Sequence, residues 1–290
     1  MRDWRQDLVC PQCHGELNSD TIVQSCEACN LVFPIRNGRI HFLAADHDQA
    51  DLLASTDGQI MVQGYRRPSK LMTGLRKIIS SEFFPGKAWR KARKAVLEAE
   101  GHCLVIGSGI TRYDNAIHLD LDDFPGVDIT ADAQKLPFAA NSIDSVLCEV
   151  VLEHVPNARA VIDETYRVLK PGGSFFFIVP FIFPYHGHPS DFRRWSRQGL
   201  LKEFDAFTSL EAGIHGGPCS SMVNLLTEWI YIISGLAFPK GYVAIKGLAT
   251  AVLFPLKFAD VLINRFPEAH RLASTLYITG FKAQQGKEES

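Results

Sequence analysis

His102-Cys-Leu-Val-Ile-Gly-Ser-Gly109 is the stretch from which the fold of this chain is read. An unbroken apolar run closing on Gly-Ser-Gly has the pattern of a strand buried on both faces and followed by a glycine turn. Glycine at such a turn lets the backbone approach a ligand where a Cβ would collide. The third glycine of a dinucleotide fingerprint is absent, because Arg112 stands in its place. A pyrophosphate site is therefore not expected, and a nicotinamide oxidoreductase is disfavoured.

Downstream, the same pattern repeats. Ala116-Ile-His-Leu-Asp-Leu121 is a second strand, with Asp120 at its end, where a carboxylate can accept from both hydroxyls of a ribose. Asp128 to Phe138 holds a short strand whose end is marked by Asp132, a candidate acceptor for an adenine amino group. Asn141 to His154 carries the next strand. A helix follows, with Asn157 as N-cap and Val161, Ile162, Thr165, Val168 and Leu169 on one face. Asp163 and Arg167 are expected to pair at i,i+4 on the other side. Pro171-Gly-Gly173 stops the helix, and Ser174 to Val179 is another buried strand.

GSG, LDL, ADAQKLPFAANSIDSVLCEVVLEHV and YRVLKPGG, in that order, resemble the class I S-adenosylmethionine (SAM)-dependent methyltransferases, of the type 11-like group. The resemblance implies an α/β fold with a Rossmann-like, seven-stranded sheet. It implies that Gly107 and Gly109 line the methionine part of SAM, that Asp120 holds the ribose, and that Asp132 and Ala133 hold the adenine. Glu149, at the end of the fourth strand, is placed with the cofactor, and His154 with the substrate. One departure stands out. Gly109 to Asp120 is shorter than the ~20 residues that a full intervening helix requires. The early helices are thus shortened or missing, and one sheet face would lack cover. Residues 60 to 100 or the late insertion are expected to supply it.

Upstream, Cys10-Pro-Gln-Cys13 and Cys26-Glu-Ala-Cys29 are two CxxC pairs on tight turns. Two such turns close a tetrahedron of thiolates of the kind that holds a structural Zn²⁺, leaving no open position for catalysis. A segment this small depends on the metal for much of its folding energy. Leu8 to Leu17 and Cys26 to Ile40 resemble the short zinc-ribbon proteins that activate tRNA and release-factor methyltransferases in trans; here the module is fused to its enzyme. The expected organisation is a ribbon at 1–45, a basic helical linker at 46–100, and a methyltransferase domain at 101–290 with a helical apolar insertion at about 219–270. Ten Lys/Arg and one acid lie between Arg66 and Lys94, which is either a solvated helix face or a surface for phosphates or anionic lipid.

After the fifth strand, Pro180 to Trp195 is dense in His, Asp, Arg and aromatic residues. A loop leaving a central strand at its carboxyl end lies over the ligand crevice. Methyl transfer needs alignment and a base for the acceptor's proton. His186 or His188 is the candidate base, Asp191 its orienting partner, and Arg193 and Arg194 the grip on an anionic substrate. The segment also resembles methyltransferases found among glycan and lipopolysaccharide assembly enzymes.

The final two strands are expected near Phe207 to Ile214 and Ser274 to Phe281, with two apolar helices between them, Met222 to Phe238 and Val243 to Phe266. Asn224, Thr227, Glu228, Tyr231 and Ser234 form a polar stripe on the first, and Pro255 interrupts the second. These helices either bury against the sheet or a dimer partner, or lie in a membrane interface; Glu228 and Lys246 argue against a transmembrane span. A net charge of −2 over 290 residues argues against a general nucleic-acid coat. Three of seven cysteines (Cys103, Cys148, Cys219) are scattered singly, which points to a reducing cytoplasm, with peripheral contact to a membrane's inner face as a further expectation. The function expected is SAM-dependent methylation of a small-molecule, glycan or lipid-linked saccharide acceptor. The alternatives are an RNA methyltransferase and a non-catalytic SAM-binding scaffold.

Overall fold

The computed structural model describes residues 3–19, 23–36, 38–43, 86–187, 190–237 and 242–284. Most of the expected basic linker, residues 46–85, and His188 lie outside the described residues.

One mixed sheet organises the chain. Its strands are β1 (Asn18–Ser19), β2 (Val23–Cys26), β3 (Leu31–Arg36), β4 (Arg39–His41), β5 (Cys103–Ile106), β6 (Ala116–Asp120), β7 (Ile129–Thr130), β8 (Ile143–Glu149), β9 (Leu169–Pro180), β10 (Thr208–Gly216) and β11 (Thr275–Phe281). Their order in space is β1-β2-β3-β4-β7-β6-β5-β8-β9-β11-β10. From β7 to β9 the pairing is parallel, and β11 runs antiparallel to both β9 and β10. The seven strands β5 to β11 form the doubly wound sheet that the sequence implies. The order reverses at β5, so the turns leaving β5 and β8 flank the crevice where such sheets bind ligands. β10 and β11 fall within a residue or two of their expected positions.

The two sheet faces are covered unequally. Among the described residues, no helix joins β5 to β6, β6 to β7 or β7 to β8. On one face the cover is α1 (Ala88–Leu97), whose Val96 packs with Cys103, Val105, Leu147, Phe176 and Tyr277. The expected cover from residues 60–100 is therefore supplied in part by α1. Ser145 fastens its end, donating to the Val96 carbonyl at 2.8 Å. The loop between β5 and β6 adds Tyr113, stacked on His118 at 6.3 Å.

The other face carries α2 (Ala158–Val168) and α3 (Arg197–Glu203) over a phenylalanine cluster of Phe175, Phe177, Phe204 and Phe207. Asn157 caps α2, accepting from the Ala160 N–H at 3.3 Å, and the predicted apolar face is buried throughout. The expected Asp163–Arg167 pair does not form. Asp163 takes Arg159 at 2.8 Å, and Arg167 takes Glu164 at 2.6 Å. The reason lies in the helixless crossover before β8, which leaves the carbonyls of Leu136 and Phe138 needing donors; Arg167 turns toward them and supplies both.

β4 joins the ribbon to this sheet. It pairs in parallel with β7, Ile40 against Ile129 and His41 against Thr130, and the Phe42 N–H reaches the Thr130 carbonyl at 2.8 Å. Leu8 bridges Phe138, and Val9 and Ala139 exchange hydrogen bonds with Pro137 and Asp7. Cys10, Phe33, Ile40 and Phe42 enter the same core cluster as the sheet. An exposed sheet edge is a template for aggregation, and here the ribbon closes it.

Between β10 and β11 lie α4 (Pro218–Ala237), α5 (Tyr242–Leu253), a 3-10 segment Phe254–Ala259, α6 (Asp260–Ile263) and a second 3-10 segment Pro267–Leu272. Pro255 sits where α5 gives way to 3-10 geometry, as its missing N–H requires. Lys246 and Glu228 pair at 2.7 Å and join α5 to α4. No helix among the described residues is long and apolar enough to cross a membrane. The polar stripe of α4 faces inward, with Asn224, Thr227 and Ser234 buried. Its apolar side faces out: Met222, Trp229 and Ile232 are 57–61 % exposed, as are Leu248 and Val252 of α5 at 67 %. This is the reverse of a soluble helix.

Candidate active site

The crevice begins at the turn after β5. Gly107 has φ +66° and Gly109 φ +50°, conformations in which a side chain is strained. A Cβ on Gly107 would fall 2.2 Å from Val151 Cγ2, whereas one on Gly109 would meet nothing within 4 Å. Gly107 thus permits the turn to pack against the end of β8, and Gly109 borders open space. Without a helix after it, the turn folds directly onto Asp120: the Gly109 N–H donates to Oδ2 at 2.6 Å, and the Asp122 N–H to Oδ1 at 3.0 Å. Burial raises the Asp120 carboxyl pKa against the pull of these amides. Each oxygen keeps a lone pair for a further donor, which fits a ribose diol. Arg112 straps this turn to the next, donating to the carbonyls of Gly109, Thr111 and Pro125. In sequence it was legible only as a missing glycine.

Asp132 and Ala133 follow β7. Asp132 closes its own turn, accepting from the Gln134 N–H at 2.9 Å and from its side chain at 3.1 Å. Ala133 is buried. Glu149, at the end of β8, has its carboxylate engaged by Arg93 of α1 at 2.7 and 2.9 Å and by the Tyr113 hydroxyl at 3.3 Å. Arg93 thus ties the covering helix to the end of β8. Val150, next in the chain, has φ +59°. A β-branched residue there is a true outlier, and such strain concentrates at ligand sites. Nothing in the sequence announces it.

Directly after Val151 the chain forms a 3-10 turn, Leu152–His154. Glu153 on this turn is 0 % exposed, and neither of its carboxylate oxygens has a hydrogen-bond partner. His186 Nε2 lies 3.3 Å from its Oε1 and His154 Nε2 3.8 Å. The two imidazoles meet edge to face at 4.9 Å. Asp191 accepts from the His186 N–H at 2.9 Å and lies 3.5 Å from Nδ1. Burial pushes the Asp191 carboxyl up, but Arg194 and the His186 amide outweigh it and hold the pKa at about 2. The structure thus brings His154, His186, Asp191 and Arg194 together. It gives the arginines structural partners: Arg194 holds Asp191 and the Pro184 carbonyl, and Arg193 the Pro156 carbonyl. Glu153 was missed because a lone acid beside an apolar run has no periodic signature.

In the ribbon, the ligand atoms of Cys10, Cys13, Cys26 and Cys29 lie within 4.8 Å of one another, and Cys13 Sγ is 3.6 Å from Cys26 Sγ. Four sulfurs around one Zn²⁺ sit about 3.8 Å apart, given Zn–S bonds of ~2.3 Å, so the set fits a structural zinc. His14 and Asn30, each following a CxxC pair, have φ +58° and +53°, which makes the two knuckles alike. The Gly15 amide lowers the Cys13 thiol to about 7, while Cys13 raises that of Cys29 to about 12. A cavity of about 510 Å³ between α1 and the insertion, lined by Trp89, Arg197, His270 and Tyr277, shares no residue with the cradle.

Comparison with known proteins agrees with both halves. Residues 107–177 match the methyltransferase domain family, and residues 8–38 match the Trm112p-like protein family. The ubiquinone/menaquinone biosynthesis C-methyltransferase UbiE of Rhizobium meliloti is 37 % identical over 87 residues, 30 % of this chain and 31 % of the relative. The sterol 4-C-methyltransferase strm-1 of Caenorhabditis elegans is 33 % identical over 112 residues, 29 % of this chain and 32 % of the relative. The alignments thus span about a third of the length of these curated relatives. Among solved structures, a complex of the Haloferax volcanii Trm112 methyltransferase activator with a methyltransferase is similar over 69 % of this chain and 91 % of that one, at 18 % identity and a TM-score of 0.41. Residues 107–177 thus resemble a methyltransferase domain and residues 8–38 a Trm112p-like ribbon, within one chain.

Proposed function

We propose that this chain transfers a methyl group from SAM to an acceptor carried at a lipid surface. SAM, when bound, supplies a methyl carbon on a positively charged sulfur from which an acceptor's lone pair can displace it. The Gly107–Gly109 turn and Asp120 hold the cofactor, with Asp132 and Ala133 at the adenine end. His154, on the turn after Val151, and His186, edge to face with it, are assigned to the acceptor. The observation that carries the lipid reading is the inverted insertion, whose buried polar stripe and exposed Trp229, Ile232, Leu248 and Val252 match a helix pair lying in a membrane interface. Two relatives named for quinone and sterol methylation support it. A glycan on a lipid carrier meets the same requirement. The intact cradle speaks against a non-catalytic scaffold, and nothing in the described residues favours RNA.

Calorimetry with SAM and S-adenosylhomocysteine tests the cofactor half: binding by the wild type that is lost in Asp120→Ala is expected, and no binding by the zinc-loaded wild type overturns it. Flotation with anionic phosphatidylglycerol vesicles tests the other half. Wild type should float and Trp229→Glu/Ile232→Glu should not. A wild type that stays down as a stable dimer replaces the membrane with a second copy of this chain.

A further inference from the structure

Glu153, His154 and His186 do not have the geometry of a simple base and its helpers. A histidine that takes a proton from an acceptor needs one nitrogen facing that acceptor. Both ring nitrogens of His186 are shielded from solvent, one toward Glu153 and one toward Asp191. Both oxygens of Glu153 are shielded too, and unpartnered. A carboxylate out of water with no partner is costly unless a cation completes it. The outer nitrogen of His154 is already oriented. His154 Nδ1 faces the Ser190 carbonyl at 2.5 Å, which fixes its proton there and leaves Nε2 with the lone pair. Asp191 lies 3.5 Å from His186 Nδ1 without a hydrogen bond to it, on the side of the ring away from Glu153. Carbonyl- or carboxylate-backed imidazoles whose inner nitrogens converge on a third, acidic donor are the arrangement of metal-binding histidines.

We infer that Glu153, His154 and His186 bind a divalent first-row transition-metal ion. Two imidazoles and one carboxylate are the donors such ions accept, with coordination positions left over. Ligand atoms bound to one ion at ~2.1 Å stand about 3.0–3.4 Å apart. His186 Nε2 and Glu153 Oε1 are 3.3 Å apart, His154 Nε2 and Glu153 Oε1 3.8 Å, and all three donors lie within 4.8 Å. The side chains of His154 and His186 are 16 % and 31 % exposed although the Glu153 oxygens and the His186 nitrogens are shielded, so the donors lie just beneath the surface. Glu153 lies two residues beyond Val151, whose side chain stands where Gly107 would carry a Cβ, which puts this donor set close in the chain to the glycine turn's neighbour. An acceptor oxygen taking an open position would be polarised there and would lose its proton more easily. That role rests on the methyl-transfer reading; binding of the ion does not.

The test uses the full chain with its ribbon zinc in place, titrated with Mn²⁺ and Co²⁺ by calorimetry and electron paramagnetic resonance, without SAM. Mn²⁺ is a poor partner for thiolates, so it reports this site and not the ribbon. One equivalent is expected, weakened about tenfold or more in Glu153→Gln and in His186→Ala. SAM binding in these variants confirms that they fold; should Glu153→Gln fail to, His154→Asn takes its place. No binding below millimolar, or affinity unchanged in the variants, overturns the metal site and leaves a His–Glu proton pair. Metal binding without SAM binding would sink the cofactor reading and spare this one, and the converse result would do the opposite.

Discussion

Individual residues decide the cradle, and their roles differ in how visible they are from sequence. Gly107→Ala should destabilise the protein by about 1–3 kcal/mol and remove SAM binding, because φ +66° and a Cβ 2.2 Å from Val151 cannot both be relieved. Thermal melts and calorimetry would show it. Val150→Gly should act in the other direction on stability, by about 1 kcal/mol, since glycine adopts φ +59° without strain. His215 offers a pH test. Burial first, then Arg93 and Arg90, lower its pKa from 6.5 to about 3. The unfolded chain takes up a proton below about pH 6.5 that the folded chain refuses until about pH 3, so stability is full above that window and is lost as pH falls through it. His215→Asn should flatten that slope in denaturant melts from pH 6.5 to 4. Gly107, Gly109 and Asp120 were legible because a strand, a glycine turn and an acid at fixed offsets have one good reading. Arg112, Val150 and Glu153 were not: their roles come from carbonyls and side chains brought near by the fold.

At the scale of elements, patterning located α2, β10 and β11 well, whereas β9 begins at Leu169, five residues before the expected Ser174, so that Pro171-Gly-Gly173 lies inside the strand and the helix ends before it. Patterning failed for ion pairs, as Arg167 showed by choosing Glu164 and two orphan carbonyls over Asp163. It also found the polar stripe of α4 without revealing which side that stripe would face, since period alone does not say what covers a helix. The N-terminus of α4 is held by a residue far along the chain: Asp260, 0 % exposed, accepts from the N–H groups of Cys219 and Ser220 at 2.8 and 2.9 Å and from the Ser220 hydroxyl at 2.6 Å. Asp260→Ala should therefore cost about 2 kcal/mol, the upper range for a lost cap, read from urea midpoints. Loss of α4 helicity by circular dichroism should accompany it.

For the whole molecule, the two CxxC pairs foretold a zinc ribbon, and the ordered motifs foretold a seven-stranded sheet. Their union was not foreseeable, because a parallel pairing between Ile40 and Ile129 leaves no trace in either segment alone. It makes a ribbon zinc a support for the whole chain. Chelation, or Cys13→Ser, should lower the melting temperature of the entire chain and cause aggregation through the bared edge of β7, as light scattering would record. The same pairing has a consequence for behaviour on dilution. Two separate chains held by one edge pairing come apart as their concentration drops below the dissociation constant. Here both partners belong to one covalent chain, so each sees the other at a local concentration on the order of millimolar, however dilute the solution. Docking becomes a first-order opening and closing, and no free ribbon at ordinary concentrations can readily displace the resident one.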